Sequence, residues 1–198
     1  MGQVDPQPTS YPSAVTAGAM IAAYQIVTGH DIVSQTSWSM PLAQAEKAEG
    51  WAYNNNVGNI TTYGSSDWYY NPHVTNGLKF VSYPSLLDGC VAFMKWLNRS
   101  GALAAADNGD AAAYAAALQS FNYLGTNGDY QTYANNIVAG ARSYANLVPV
   151  PYAGEFSTGQ VLLLTGSALF LAWLAAATMS PSLLPPSLRL SPRSLRYA

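Results

Sequence analysis

The feature that most constrains this chain is an uninterrupted apolar segment near its C-terminus. Residues 161–179 read VLLLTGSALFLAWLAAATM and include no charged residue. A helix of this length, at about 1.5 Å per residue, is roughly 30 Å long, which matches the hydrocarbon core of a bilayer. The alternative, a buried core helix, is uncommon for so long an apolar stretch. The segment therefore predicts one membrane-spanning helix.

The flanking sequence supports a single C-terminal anchor. Residues 180–198 are proline-rich and carry three arginines and no acid, a bias typical of the cytoplasmic or equivalent side of a membrane. The N-terminus lacks the basic and apolar regions of a signal peptide. Pro6 stands where N-myristoylation needs Ser or Thr. We therefore expect a single-pass membrane protein.

The charge of the remaining chain excludes several classes of function. Residues 1–160 hold five basic and ten acidic side chains, an acidic balance that argues against nucleic-acid binding. Cys90 is the only cysteine of the chain, and the two histidines, His30 and His73, are far apart in sequence. These residues form no disulfide framework and no zinc-site spacing. We expect neither a metal nor a cofactor.

Turn and capping signals divide residues 14–147 into helices around a small β-wing. Residues 14–28 predict a helix that closes near Gly29, and Ser39 predicts the cap of a second helix with Pro41 in its first turn. That helix is expected to stop at Gly50. Residues 51–83, rich in Asn, Gly, Thr and Tyr, predict loops and an irregular hairpin.

Three further helices are expected after the wing. Ser85 predicts the cap of the first, residues 109–119 are alanine-rich, and Asp129 predicts the cap of the last. The fold class is therefore mainly α with a small β-wing. The predicted organisation is a flexible N-terminus (1–13), a folded domain (14–147), a linker (148–160), a transmembrane helix (161–179) and a basic proline-rich tail (180–198).

Two glutamates near the end of the second helix are candidates for acid chemistry. Glu46 and Glu49 are three residues apart and share a helix face. The negative end of the helix dipole and burial beside Trp51 would both favour the protonated form of Glu49. A carboxyl group with a raised pKa is what general-acid cleavage of a glycosidic bond requires. The alternative is a solvated helix face shared with Lys47.

The asparagine-rich stretch that follows suits uncharged ligands. WAYNNNVGNIT, residues 51–61, offers paired amide donors and acceptors, and sugars with N-acetyl groups need such partners. Nearby aromatic rings offer flat faces for pyranose rings, although ordinary packing is expected to account for several of them. The rings are those of Trp51, Tyr53, Tyr63, Trp68, Tyr69 and Tyr70.

These motifs, in this order, resemble a known superfamily. AEGWAYNNNVGNIT (48–61) followed by GLKFVSYPSLLDGCVAFMKWL (77–97) is similar to the lysozyme-like peptidoglycan-cleaving domains, which include lytic transglycosylases and glucosaminidases. Members carry a helix ending in glutamate, an asparagine turn, a β-wing and a further helix. NYLGTNGDYQTYANNI (122–137) resembles their closing segment, where tyrosines line the cleft floor. The resemblance spans roughly residues 15–147.

The resemblance implies roles for particular residues. Glu49 is the implied catalytic acid, but some relatives place the glutamate at the position of Ala48, so Glu46 remains a second candidate. The asparagine turn would lie beneath the acid, with Asn56 or Asn59 facing sugar or backbone. The implied substrate-binding residues are Trp51, Asn56, Asn59, Thr61, Tyr83, Tyr123 and Tyr133.

A second carboxylate would decide the mechanism. Glycosidases that use two carboxyl groups need another acid near the first, and Asp67 is the only nearby downstream candidate. A turn residue is the plainer reading of Asp67. Without a second acid, the glutamate alone would support lytic transglycosylation, which forms an anhydro sugar. Both this reaction and hydrolysis by water remain open.

The anchor and the resemblance together suggest a setting. A wall-cleaving domain tethered by its C-terminus suits the internal membrane of a phage virion or a bacterial cell envelope. Peptidoglycan, a lipid membrane bound through residues 161–179 and other virion membrane proteins are the expected partners. The alternative is a non-catalytic glycan-binding or structural virion membrane protein with a lysozyme-like fold.

Overall fold

The computed structural model describes residues 2–47, 53–62, 66–72, 77–121, 123 and 129–152, with only the backbone at Glu46 and Lys47. This part of the chain is mainly helical with a small two-stranded sheet, as predicted. Its elements are α1 (Ser13–Thr28), α2 (Thr36–Lys47), β1 (Trp68–Tyr70), β2 (Lys79–Val81), α3 (Leu86–Ser100), α4 (Ala102–Asp107), α5 (Ala111–Ser120) and α6 (Tyr130–Ser143).

The helices enclose one apolar core. Helix α1 packs on α2 and α3, and α6 packs on α2 and α5. Gly140 of α6 lies so close to α2 that a Cβ atom there would be 2.7 Å from the Cβ of Ala43. The fully buried large side chains include Met20, Tyr24, Leu42, Phe93, Leu97, Leu103, Tyr114, Leu118 and Ile137. Burial of apolar surface in this core is the main favourable contribution to folding.

Local capping signals predicted several helix ends correctly. Gly29 closes α1 in the left-handed region, with φ of 79°. The Ser85 hydroxyl accepts the Asp88 N–H at the start of α3, and the Asp129 carboxylate accepts two N–H groups at the start of α6. These side chains satisfy N–H groups that have no partner within the helix.

The start of α2 differs from the prediction. The helix begins at Thr36 rather than after Ser39, so Pro41 lies inside it. The first turn is stabilised by hydroxyl contacts: the Ser34 N–H donates to the Ser37 hydroxyl at 3.1 Å, and the Ser34 and Thr36 hydroxyls are 2.7 Å apart. Burial of Trp38 adds to this stabilisation and outweighs the hydrogen bond that proline cannot make.

Helix α4 was not predicted. Its six residues, ALAAAD, follow Gly101, which has φ of 83° and ends α3. The chain turns at this glycine and immediately starts the short helix, whose Ala102, Leu103 and Ala106 are buried. Residues 102–107 lack the periodic pattern of a longer amphipathic helix, so burial rather than local sequence specifies this element.

The β-wing includes two further segments beside its two strands. Strands β1 and β2 pair antiparallel, with Tyr69 opposite Phe80. Residues 60–62 add to the free side of β2, since the Val81 N–H donates to Ile60 O and the Thr62 N–H to Lys79 O. Residues 2–4 add to β1 in parallel, because Val4 N–H donates to Trp68 O and Trp68 N–H to Gly2 O.

The segment expected to be a flexible N-terminus makes ordered contacts. We call residues 2–11 the N-terminal strap. Besides the pairing with β1, the Gly2 N–H donates to Asp67 Oδ1 at 2.9 Å, and the Tyr11 hydroxyl donates to Asn55 Oδ1 at 2.9 Å. The strap therefore covers one edge of the wing, which leaves fewer unpaired backbone groups there.

The chain after α6 returns to α1. Val150 N–H donates to Ala14 O at 2.9 Å, and the Val150 carbonyl lies against Gly18, where a Cβ atom would overlap it. The first residues of the predicted linker are thus packed on the domain. The predicted transmembrane helix (161–179) and tail (180–198) lie outside the described residues, among which no helix is long and apolar enough to cross a bilayer.

Candidate functional site

The asparagine turn after α2 has an unusual backbone. Asn54, Asn55 and Asn59 all have positive φ, of 50°, 59° and 48°. Most side chains disfavour this left-handed region, whereas asparagine tolerates it because its short amide can hydrogen-bond locally. The asparagines therefore allow the chain to turn tightly at residues 54–59, just before the wing.

Asn56 connects the turn to the wing. Its side chain is 1 % exposed. The Nδ2 group donates to Ile60 O at 2.9 Å and to Val81 O at 3.0 Å, and Oδ1 accepts the Ile60 N–H at 2.8 Å. Asn56 therefore faces backbone rather than a sugar. This corrects its prediction as a substrate contact, because both the amide hydrogens and the oxygen are used.

Asn54 and Asn55 hold the N-terminal strap. Asn54 accepts the Gln7 N–H and donates to Asp5 O at 3.2 Å. The Asn55 N–H donates to the Thr9 hydroxyl at 3.2 Å, and its amide donates to Tyr83 O at 3.1 Å. Consecutive amides thus bind the strap on one side and the chain leading to α3 on the other.

The turn lies directly on α3. A Cβ atom at Gly89 would overlap the carbonyl oxygen of Asn55, and one at Gly58 would overlap the ring of Phe93. Both glycines are needed for this close approach, since a methyl group has no space at either position. The asparagine turn is therefore clamped between the strap and α3.

The other predicted residues of this region border the same turn. Asn59 is half-buried, and Thr61 is exposed beside Phe80, its bridge partner. Tyr83 is half-buried, and burial raises its pKa to about 12. Its N–H donates to Asn54 O at 2.9 Å. Asn59 and Thr61 thus lead from the turn into the wing, and Tyr83 bonds the turn through its backbone.

A second group of residues lies at the C-terminal half of α2. Gln44 is completely buried, and its Oε1 accepts the hydroxyl of Tyr114 from α5. The hydroxyl of Tyr114 also interacts electrostatically with those of Tyr123 and Tyr133, and burial together with these neighbours raises its pKa well above the ordinary value. The structure therefore brings the predicted Tyr123 and Tyr133 together around Tyr114 and Gln44.

Aromatic rings extend this group towards the surface. The Tyr123 ring lies 5.1 Å from the ring of Trp96, and Phe121 meets Trp96 edge-on at 6.4 Å. Trp96 is half-buried and Phe121 is 45 % exposed. Gln44, Tyr114 and Trp96 were not predicted as site residues. The sequence offered one signal for Gln44, which is that this residue is polar but lies on the apolar side of α2.

The acid candidates are only partly placed. Glu46 is in the last turn of α2, two residues after Gln44, and the structure describes only its backbone. Glu49 and Trp51 lie outside the described residues. Asp67 is exposed and accepts the Gly2 N–H, so the structure gives it a role in holding the N-terminal strap.

Comparisons of the chain with protein-family models, with curated proteins and with solved structures gave no match. Neither sequence similarity nor fold similarity therefore assigns the chain to a family, and the chemistry of its residues is what indicates a function.

Proposed function

We propose that the chain is a membrane-tethered, lysozyme-like glycosidase that cleaves the glycan strand of peptidoglycan. The observation that carries the proposal is the order of parts along the chain. A helix with Glu46 in its last turn is followed along the chain by Glu49, a tightly bonded asparagine turn and a β-wing, and tyrosines gather at the C-terminal half of that helix. This order is typical of the peptidoglycan-cleaving domains that the sequence resembles.

The chemistry requires one group that gives and then takes a proton. The carboxyl group of Glu49 protonates the glycosidic oxygen, and the bond between that oxygen and the anomeric carbon breaks. The resulting carboxylate accepts the proton of the 6-hydroxyl of the same sugar, whose oxygen bonds to the anomeric carbon. The products are a free chain end and a 1,6-anhydro sugar. Because Asp67 bonds the strap, we favour this single-acid reaction over two-carboxylate hydrolysis.

The tether is part of the proposal. Residues 161–179 would span the membrane and the arginine-rich tail would stay on its cytoplasmic or equivalent side. In a virion with an internal membrane, such an enzyme would open the cell wall locally during genome entry. The same layout would suit an enzyme of the bacterial envelope.

The test is clearing of purified peptidoglycan by the 198-residue chain in mild detergent, compared with Glu49→Gln and Glu46→Gln. We expect the wild type to clear the wall and Glu49→Gln to lose activity, because an amide cannot donate the proton. Glu155→Gln is the matched control and should retain activity. Mass spectrometry of the products separates the two reactions, since an anhydro end shows transglycosylation and a reducing end shows hydrolysis.

The other outcomes assign different roles. Loss of activity in Glu46→Gln with full activity in Glu49→Gln would move the acid to Glu46. If the wild type did not clear peptidoglycan, this result would contradict the proposed enzymatic activity. The second candidate function is that of a non-catalytic glycan-binding or structural membrane protein. One observation favours it, because the glutamate of some relatives corresponds to Ala48 here. Retained binding to the wall without clearing would support it.

A further inference from the structure

Two buried polar groups around Tyr114 have no hydrogen-bond partner among the described residues. They are the Nε2 group of Gln44 and the hydroxyl of Tyr133. Gln44 uses its Oε1 to accept the Tyr114 hydroxyl, which fixes the amide and leaves both Nε2 hydrogens unused. We call Gln44, Tyr114 and Tyr133, with the rings of Tyr123 and Trp96, the Gln44 cluster.

Such groups are unusual in a folded protein. An unpaired buried donor keeps the cost of leaving water and gains nothing in exchange, so buried polar groups are nearly always bonded. In the Gln44 cluster, the Gln44 Nε2 group and the Tyr133 hydroxyl, both near Tyr114, have no hydrogen-bond partner among the described residues. A chain that needed only packing here could use Leu and Phe in their place.

The chemistry of the Gln44 cluster selects a neutral acceptor. Its five side chains include no cation, so a carboxylate or phosphate would be buried without a counter-charge. Two donors suit one carbonyl oxygen, which can accept two hydrogen bonds. The rings of Tyr123 and Trp96, 5.1 Å apart, provide apolar surface for a methyl group beside that carbonyl.

We propose that the Gln44 cluster is a binding site for an acetamido group, in which Gln44 Nε2 and the Tyr133 hydroxyl donate to its carbonyl oxygen. Trp96 and the exposed Phe121 form the outer rim, on which the sugar ring that carries the group lies. The inference rests on the proposed function, since it names the part of an N-acetylated glycan that the site selects.

The test is calorimetric binding of two neutral tetrasaccharides, the β-1,4-linked N-acetylglucosamine tetramer and the glucose tetramer that lacks the acetamido groups. The 198-residue chain should bind the acetylated tetramer at least tenfold more tightly. Tyr133→Phe should lose most of this preference without losing stability, because the hydroxyl it removes has no hydrogen-bond partner in the part of the chain that the structure describes. The double variant with Gln44→Leu and Tyr114→Phe should behave in the same way.

Tyr24→Phe is the matched control. The Tyr24 hydroxyl is also covered by the fold, but it donates to Asp107 Oδ2 at 3.0 Å. Its loss should lower the thermal stability and leave the preference for the acetylated tetramer unchanged. The contrast separates a group kept for a ligand from a group kept for the fold.

Two outcomes would contradict the proposal that the Gln44 cluster binds an acetamido group. Equal binding of both tetramers by the wild type would show that it does not select the acetamido group. An unchanged preference in Tyr133→Phe would show that the Tyr133 hydroxyl does not donate to the acetamido group. A wild type that fails to clear peptidoglycan but keeps a Tyr133-dependent preference would contradict the proposed activity and support the site.

Discussion

At the scale of single residues, the asparagines of the turn are primarily structural. Their positive φ values shape the backbone, and their amides link segments that are far apart in sequence. Asn56 is the clearest example, because its amide donates to the carbonyl oxygens of both Ile60 and Val81 and so reinforces the backbone pairing between these two residues. An amide-rich stretch that suits a sugar ligand can thus be required by the fold alone.

Asn56→Ala should be strongly destabilising. The substitution removes the partner of the Ile60 N–H and the amide donor to Val81 O, while Ile60 O keeps the Val81 N–H. Buried unpaired groups cost about 1–3 kcal/mol each. We expect a loss of roughly 3 kcal/mol in the free energy of unfolding, measured by urea denaturation with tryptophan fluorescence.

Asn98→Ala, on the exposed face of α3, is the control for Asn56→Ala and should change stability by less than about 0.5 kcal/mol. Equal effects of the two substitutions would show that the Asn56 hydrogen bonds contribute nothing specific to the fold.

The sequence could predict that this stretch turns, but not which amides face inward. Turn formation depends on local backbone preference, whereas the partners of Asn56 and Gln44 come from residues 25 and 70 positions away. For the same reason the sequence did not indicate the contact between Gln44 and Tyr114. Tyr123 and Tyr133 were candidates only because the motif around them resembles a known closing segment, and their role in a site stays a prediction.

At the scale of elements, the contact between α3 and the asparagine turn sets the position of the wing. Gly89 lies against the backbone of Asn55, and Gly58 lies against the ring of Phe93, so the turn and the helix approach each other closely at both glycines. Close approach of this kind makes the position sensitive to the addition of one methyl group.

Replacing glycine by alanine usually stabilises a helix, but we expect Gly89→Ala to destabilise this protein. Helix propensity favours alanine over glycine by about 1 kcal/mol, but the added methyl group would overlap Asn55 O. We expect a net destabilisation of about 1–3 kcal/mol by thermal unfolding, typical of overpacking.

At Gly2, a Cβ atom meets nothing within 4 Å. Gly2→Ala should therefore leave the unfolding temperature nearly unchanged and serves as the control. A stabilised Gly89→Ala variant would contradict the close packing of the turn on α3.

The helices show which signals in a sequence are sufficient. The caps at Ser85 and Asp129 were predicted correctly because a cap is a contact between near neighbours. The early start of α2 depends on hydroxyls before the expected cap and on burial of Trp38. The N-terminal strap was missed entirely, since its partners lie as far as 65 residues away.

At the scale of the whole molecule, buried tyrosines should govern the response to alkali. Burial raises the pKa of Tyr83 to about 12, and burial with the nearby Asp107 raises that of Tyr24 to about 12. Unfolded tyrosine titrates near pH 10. Because the folded values are the higher ones, their contribution to stability is complete below about pH 10 and is lost as the pH rises towards 12.

Urea unfolding at a series of alkaline pH values tests this expectation. The free energy of unfolding should fall between about pH 10 and pH 12, and tyrosinate absorbance should appear with loss of the fold. Tyr83→Phe should show a shallower fall, since one linked group is removed. An equally steep fall in Tyr83→Phe would show that Tyr83 is not linked to unfolding.

The N-terminal strap also imposes an order on synthesis. Residues 2–11 leave the ribosome before the asparagine turn and β1 with which they pair. Until residues up to Trp68 have emerged, residues 2–4 of the strap lack the strand with which they pair. The strap is therefore made before its partners and waits for them, and this edge of the wing is completed only when the chain folds back onto residues 2–4.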